Sequence, residues 1–175
     1  MTETLTDACK TGDLSNVKRY LAEGIDPTLP NKYGHTNFPI YMASRWGHLD
    51  IVKALVEAKA DPADHCTGSD SLQEAAERGH PKVVRYLLDY VDPKVGNDAA
   101  FRRAIRYGHK NVAKVLVADG RVSMNSIHKG LQKLCYFGVN EEREKLVKRY
   151  LRSIGGDPNA KVIYQDYYTG ENVYK

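Results

Sequence analysis

Histidine, cysteine and a set of arginine and aromatic residues are the groups from which chemistry could be built in this chain of 175 residues. His48, His80 and His109 each follow a glycine and stand 32 and 29 residues apart. A metal site needs ligands that converge on one point, which residues spaced over successive units do not naturally provide. Cys9, Cys66 and Cys135 are more than fifty residues apart, lacking both the close pairing of a metal knuckle and the density of a disulfide scaffold, and suit a reducing compartment. Cys66 adjoins His65, but adjacency along the chain is not the geometry of nucleophile and base. No phosphate-cradling glycine loop, zinc-protease histidine pair or hydrolase serine elbow is present in the sequence. Neither enzymatic activity nor a bound metal or cofactor is expected.

Recognition is the remaining chemistry. The formal charge is +4, from 26 Lys and Arg against 22 Asp and Glu, and the basic residues are spread along the chain. A nucleic-acid binder usually concentrates them on one face that neutralises several phosphates. Arg45, Arg78, Arg102, Arg103 and Arg106, with Trp46 and Tyr107 to stack on bases, form the best case for nucleic acid as an alternative. Asp50, Glu74 and Glu77 interrupt that charge and disfavour it. At 42% hydrophobic and 27% charged, the composition is that of a folded chain. The first seven residues lack a basic segment followed by an apolar one, and no apolar run approaches the length of a membrane span. The expectation is an intracellular, cytoplasmic protein with no membrane contact.

The elements that must position these groups repeat. Gly12, Gly47, Gly79, Gly108 and Gly138 follow at intervals of 35, 32, 29 and 30 residues. Before each comes a short stripe: Leu5, Ala8, Cys9; Ile40, Ala43, Ser44; Leu72, Ala75, Ala76; Phe101, Ala104, Ile105; Leu131, Leu134, Cys135. Offsets of three and four put each stripe on one side of a helix. After each glycine a second stripe begins, as in Ile51, Val52, Leu55 and Val56, or Val83, Val84, Leu87 and Leu88. Asp26-Pro27, Asp61-Pro62, Asp92-Pro93 and Asp157-Pro158 stop the second helices, since proline cannot continue the ladder; the fourth unit lacks this pair. A single helix pair cannot bury its apolar face, so the units must stack into a solenoid.

The string Phe38-Pro39-Ile40-Tyr41-Met42-Ala43-Ser44-Arg45-Trp46-Gly47-His48 resembles the Thr-Pro-Leu-His-x-Ala-Ala-x-x-Gly-His core of the ankyrin repeat, a unit of about 33 residues. Leu49-Asp50-Ile51-Val52-Lys53-Ala54-Leu55-Val56 is similar to that family's second helix. The style of Gly79 to Leu88 also resembles ankyrin proteins of large DNA viruses. No unit keeps the family's histidine at the fourth motif position. The resemblance implies an all-α ankyrin repeat solenoid of about five helix-turn-helix units with short hairpin-like fingers. The expected repeat domain covers residues 1–160, with units near 3–34, 35–68, 69–97, 98–128 and 129–160, followed by a tyrosine-rich tail or cap over 161–175. The third finger is expected to be truncated, and Val139 to Lys145 to disturb the fifth register.

The same resemblance implies a non-catalytic interaction module that holds, bridges or masks a protein through its concave surface and fingers. Family recognition positions fall just before the repeat glycine, which places Arg45, Trp46, Arg78, Arg106, Tyr107 and Tyr136 in one aromatic and cationic stripe. Trp, Tyr and Arg are the types most enriched in binding hot spots. The expected partner is a protein with acidic or aromatic features; closure of a homodimer by the same stripe is a further reading. Tyr33 is the candidate contact on the first finger. The bland account of Trp46 and Tyr107 is that they cover the adjacent hairpin, while Phe137 reads as cap core. His48, His80 and His109 resemble the family's structural Gly-His feature, in which an imidazole ties one hairpin to the next. In the tail, Val162, Ile163 and Tyr167 read as a cover for the last helix pair.

Overall fold

The computed structural model describes residues 4–31, 33–64, 70–122, 164–165 and 172–173. Among the described residues eight helices alternate as four pairs: α1 (Leu5–Thr11) with α2 (Leu14–Ala22), α3 (Phe38–Trp46) with α4 (Leu49–Glu57), α5 (Ser71–Arg78) with α6 (Pro81–Leu87), and α7 (Val95–Arg106) with α8 (Lys110–Asp119). The fifth expected pair and its residue Tyr136 lie outside the described residues.

Local signals set the ends of these helices. Thr4 and Asp7 make a reciprocal capping box at the start of α1, and Asp13 and Asp70 accept from the backbone N–H groups of Asn16 and Gln73. Gly12, Gly47 and Gly79 end the first helices at φ of +83°, +80° and +81°, a left-handed conformation that only glycine adopts without penalty. α7 carries three consecutive left-handed residues near its start, Gly96, Asn97 and Asp98, so its regular part begins at Ala99. The third finger is accordingly compressed into this irregular turn, as its short sequence requires.

The Asp-Pro pairs do more than interrupt a helix. Asp26, Asp61 and Asp92 each accept, through Oδ1, the N–H two residues on, from Thr28, Ala63 and Lys94 at 2.8, 2.9 and 3.0 Å. Each is an Asx turn, with the following proline buried against the stack. In the fourth unit Arg121 stands near that place. It pairs with Asp119 and donates to the Leu88 carbonyl of the previous unit at 2.6 Å. A charged clamp therefore takes over where the turn motif is missing.

Helices this short are marginal alone in water. Stacking supplies the burial: Val17, Ile51, Val52, Leu55, Val83, Val84, Leu87, Val112 and Leu116 of the second helices form the core with Ala8, Ala43, Ala75, Ala76 and Ala104 of the first. The small side chains let α1, α3, α5 and α7 pack more closely in their row than α2, α4, α6 and α8 do in theirs. The first helices thus form the tighter of the two rows, the inner face of the stack. In the C-terminal segment β1 (Tyr164–Gln165) and β2 (Asn172–Val173) pair antiparallel, Tyr164 opposite Val173. This small ribbon is an addition to the expected all-α architecture, and the proposed covering by Val162, Ile163 and Tyr167 lies outside the described residues.

Candidate partner-binding face

The inner face is held in register by an imidazole ladder. Nε2–H of His48 donates to the Lys10 carbonyl at 3.2 Å, that of His80 to the Arg45 carbonyl at 2.9 Å, and that of His109 to the Glu77 carbonyl at 2.8 Å. Each acceptor lies two residues before the glycine of the preceding unit. The same rings lie over those glycines, so closely that a Cβ on Gly12, Gly47 or Gly79 would meet ring atoms at 2.5–2.6 Å. The histidines thus tie hairpins together, as the family resemblance implies. Burial lowers the pKa of His80, assisted by the charges of His109, His48 and Arg78 and opposed by its bond to the Arg45 carbonyl.

In the second, third and fourth units the family's fourth motif position is filled three different ways. Tyr41 is buried and stacks on Phe38 with ring centroids 5.8 Å apart. Gln73 is buried and donates Nε2–H to Asp70 at 3.0 Å, whereas Arg102 donates to the Gly96 carbonyl at 2.8 Å. Each substitution keeps a polar tie at the finger base or fills the space with a ring.

The arginines and aromatic residues near the ends of the first helices split into two kinds. Trp46 and Tyr107 are 48% and 50% exposed, and the Arg106 guanidinium lies 5.8 Å from the Tyr107 ring centre. Arg45, Arg78 and Arg103, from three successive units, instead converge on the carboxylate of Glu74, whose side chain is 4% exposed. Arg45 contacts Oε1 through Nη1; Arg78 reaches the same oxygen through Nε at 3.4 Å. Arg103 lies 4.0 Å from Oε2 and bonds Glu77 at 2.7 Å. Sequence named Arg103 in the alternative nucleic-acid surface and Glu74 as an acid interrupting it, but paired neither with a partner. The available signal was their shared place, five residues before Gly79 and Gly108, which puts them side by side on stacked first helices.

Tyr33 tops the first finger, 71% exposed, on a turn in which Asn31 Oδ1 accepts the N–H groups of Tyr33 and His35. The finger base is fixed by Asn37, another residue missed in sequence. Its amide donates to Asp64 at 2.8 Å and accepts the Asp61 N–H at 2.7 Å, linking neighbouring fingers.

The described residues supply little to react. Cys9 is fully buried, and desolvation pushes its thiol up to about 12, far from a thiolate at neutral pH. Cys66, His65 and Cys135 lie outside the described residues. Among the described residues no three His, Cys, Asp or Glu side chains gather to hold a metal, and no helix is long and apolar enough to cross a membrane.

A family model described as ankyrin repeats in three copies matches residues 5–97 and, overlapping, 60–128. The chain is 36% identical over 90 residues to the probable E3 ubiquitin-protein ligase XBOS33 of Oryza sativa subsp. japonica, covering 49% of this chain and 17% of that protein. It is 31% identical over 127 residues to the E3 ubiquitin-protein ligase XBAT33 of Arabidopsis thaliana, covering 67% and 24%. It is 31% identical over 154 residues to alpha-latroinsectotoxin-Lt1a of Latrodectus tredecimguttatus, covering 83% and 11%. The chain therefore spans a quarter or less of the length of each of these relatives.

Proposed function

The chain belongs to the ankyrin-repeat family, and from that membership we propose that it holds a partner protein on the inner face of its stack, with the first finger as a flank. The family fold is a scaffold and not a catalytic domain. The observation that carries the reading is the half-exposure of Trp46 and Tyr107, at matching positions before the glycines of two units. Aromatic groups left in water on rigid elements bring large contact area at little entropic cost when a partner covers them. Around them Arg45, Arg78 and Arg106 supply a cationic surround, and Tyr33 extends the surface along the finger. Tyr136 belongs to the same proposed stripe by position in sequence.

Nucleic acid is the weaker reading, because Glu74 and Glu77 already take up much of the charge of Arg45, Arg78 and Arg103.

The test is retention of a partner from source-cell extract, read by mass spectrometry, by wild type and by a folded Trp46→Ala, Tyr107→Ala double variant. One protein retained by wild type and lost by the variant supports the inner face. Equal retention by both overturns it in favour of the fingers or the tail.

A further inference from the structure

We infer that the inner face takes an acidic protein segment, whose carboxylates bond the exposed sides of arginines that Glu74 holds in place. The inference rests on the reading of the inner face as the recognition surface and assigns the chemistry of its occupant.

Three guanidiniums from three stacked units meet one carboxylate that is nearly sealed from water. Glu74 and Glu77 are the acidic residues of this cluster, and both are engaged by arginine. Arg78 spends only Nε on Glu74, at 3.4 Å, and its side chain is 42% exposed. Among the described residues neither of its Nη groups has a hydrogen-bond acceptor. A guanidinium carries five donors in a rigid fork, so anchoring one edge leaves the other aimed and available. Holding the side chain in advance removes part of the ordering cost that a free arginine would meet on binding.

The surroundings are mostly of the same sign, with exposed Asp7 on α1 the acidic exception. Lys10 is exposed on α1, and Arg106 and Arg102 are exposed on α7. On the outer helices exposed Lys53 of α4 lies between exposed Asp50 and Glu57, and α6 and α8 carry exposed Lys82, Arg85, Lys110 and Lys114, but the guanidiniums gathered on a buried carboxylate belong to the first-helix side. A carboxylate-bearing segment therefore meets cations on both sides of the stack, and guanidiniums positioned in advance by Glu74 on the first-helix side. Trp46 and Tyr107 flank the arginines in sequence position and suit apolar side chains interspersed among the acids. Nucleic acid shares the attraction but needs several unpaired cations in a track, whereas here the cations sit clustered around a carboxylate.

The experiment measures binding of the full chain to a fluorescein-labelled peptide in which glutamate pairs alternate with single leucines, by fluorescence anisotropy. The glutamine version of the peptide and oligothymidylate are run beside it. The glutamate peptide is expected to bind about tenfold more tightly than the glutamine peptide. Arg78→Gln is expected to weaken it about fivefold, while Lys114→Gln, the same charge change on the outer helix α8, leaves it within about twofold. Circular dichroism checks that both variants fold. No measurable binding of the glutamate peptide, equal binding of the two peptides, equal weakening by the two variants, or preference for oligothymidylate each overturns the inference. Loss of the cellular partner in the Trp46 and Tyr107 double variant but not in Arg78→Gln would overturn the acidic occupant and leave the inner-face reading standing.

Discussion

The imidazole of His80 bonds the Arg45 carbonyl at 2.9 Å and covers Gly47, where a Cβ would lie 2.5 Å from Nδ1. One side chain thus fixes the distance between two units at the floor of the candidate face. The glycine is required twice, by its φ of +80° and by the ring above it.

Gly47→Ala should therefore cost more than backbone strain. An alanine in the left-handed region costs roughly 1–2 kcal/mol, and displacing the His80 ring should add at least about 1 kcal/mol for the lost tie. Gly24→Ala is the matched control, since Gly24 has φ of +83° and open space around its would-be Cβ. Urea denaturation of both variants measures the difference, and equal losses would show that the ring yields freely.

Acid should loosen the same joint. His80 has its pKa lowered from 6.5 by burial and by the neighbouring His109, His48 and Arg78, so folding disfavours its charged form. Its contribution is fully present above the ordinary histidine pKa, is lost as pH falls through that value, and levels off below the lowered one. Asp7, Asp26 and Asp119 also have lowered values, but from 3.8, so they act in a more acidic window. Wild type should lose stability between about pH 7.5 and 5.5. His80→Gln should be less stable at the upper pH and lose less across the interval, as measured by the midpoint of urea denaturation; an unchanged loss would assign the titration elsewhere.

Ser44 occupies the place of the family's second alanine. It is fully buried, and its Oγ has no hydrogen-bond partner among the described residues. Ser44→Ala removes an unsatisfied hydroxyl and improves helix propensity, so the thermal midpoint should rise, with a gain of about 1 kcal/mol. A fall would mean that the hydroxyl does have a partner in solution.

Lys59 ends the second helix of its unit at φ of +70°, where the first and fourth units carry Gly24 and Gly120. The strain falls on a non-glycine residue, so Lys59→Gly should stabilise the protein by up to about 1 kcal/mol. Equilibrium denaturation checks the sign.

The repeat period was legible because stacking imposes it on many positions at once: Ile40, Ala43, Leu72, Ala75, Phe101 and Ala104 all face the core that their spacing implied. The Gly-His pairs were legible as ties for the same reason. The arginine cluster was not, because Arg45, Glu74 and Arg103 are about thirty residues apart and meet only once the units are stacked. Sequence grouped Arg45 and Arg78 in one cationic stripe and gave them no acidic partner. The engagement of Arg45 by Glu74 is a property of the register between helices, set by side chains such as His80 and not by anything local to Arg45.

That cluster gives the last prediction. Glu74→Ala removes the carboxylate on which three guanidiniums converge and leaves them to repel one another on stacked helices. Breaking a fully buried pair costs roughly 3–5 kcal/mol, but the arginine side chains here are 30–42% exposed and can be rehydrated. The expected loss is therefore smaller, about 2 kcal/mol. Removing Arg78 should cost little, because its contact at 3.4 Å is longer than that of Arg45 and its side chain is the most exposed of the three. Denaturant midpoints of Glu74→Ala and Arg78→Ala decide the matter: a large loss in the first and a small one in the second would make Glu74 the support of the face and Arg78 the residue at liberty to bind, whereas similar losses would make Arg78 part of the support as well.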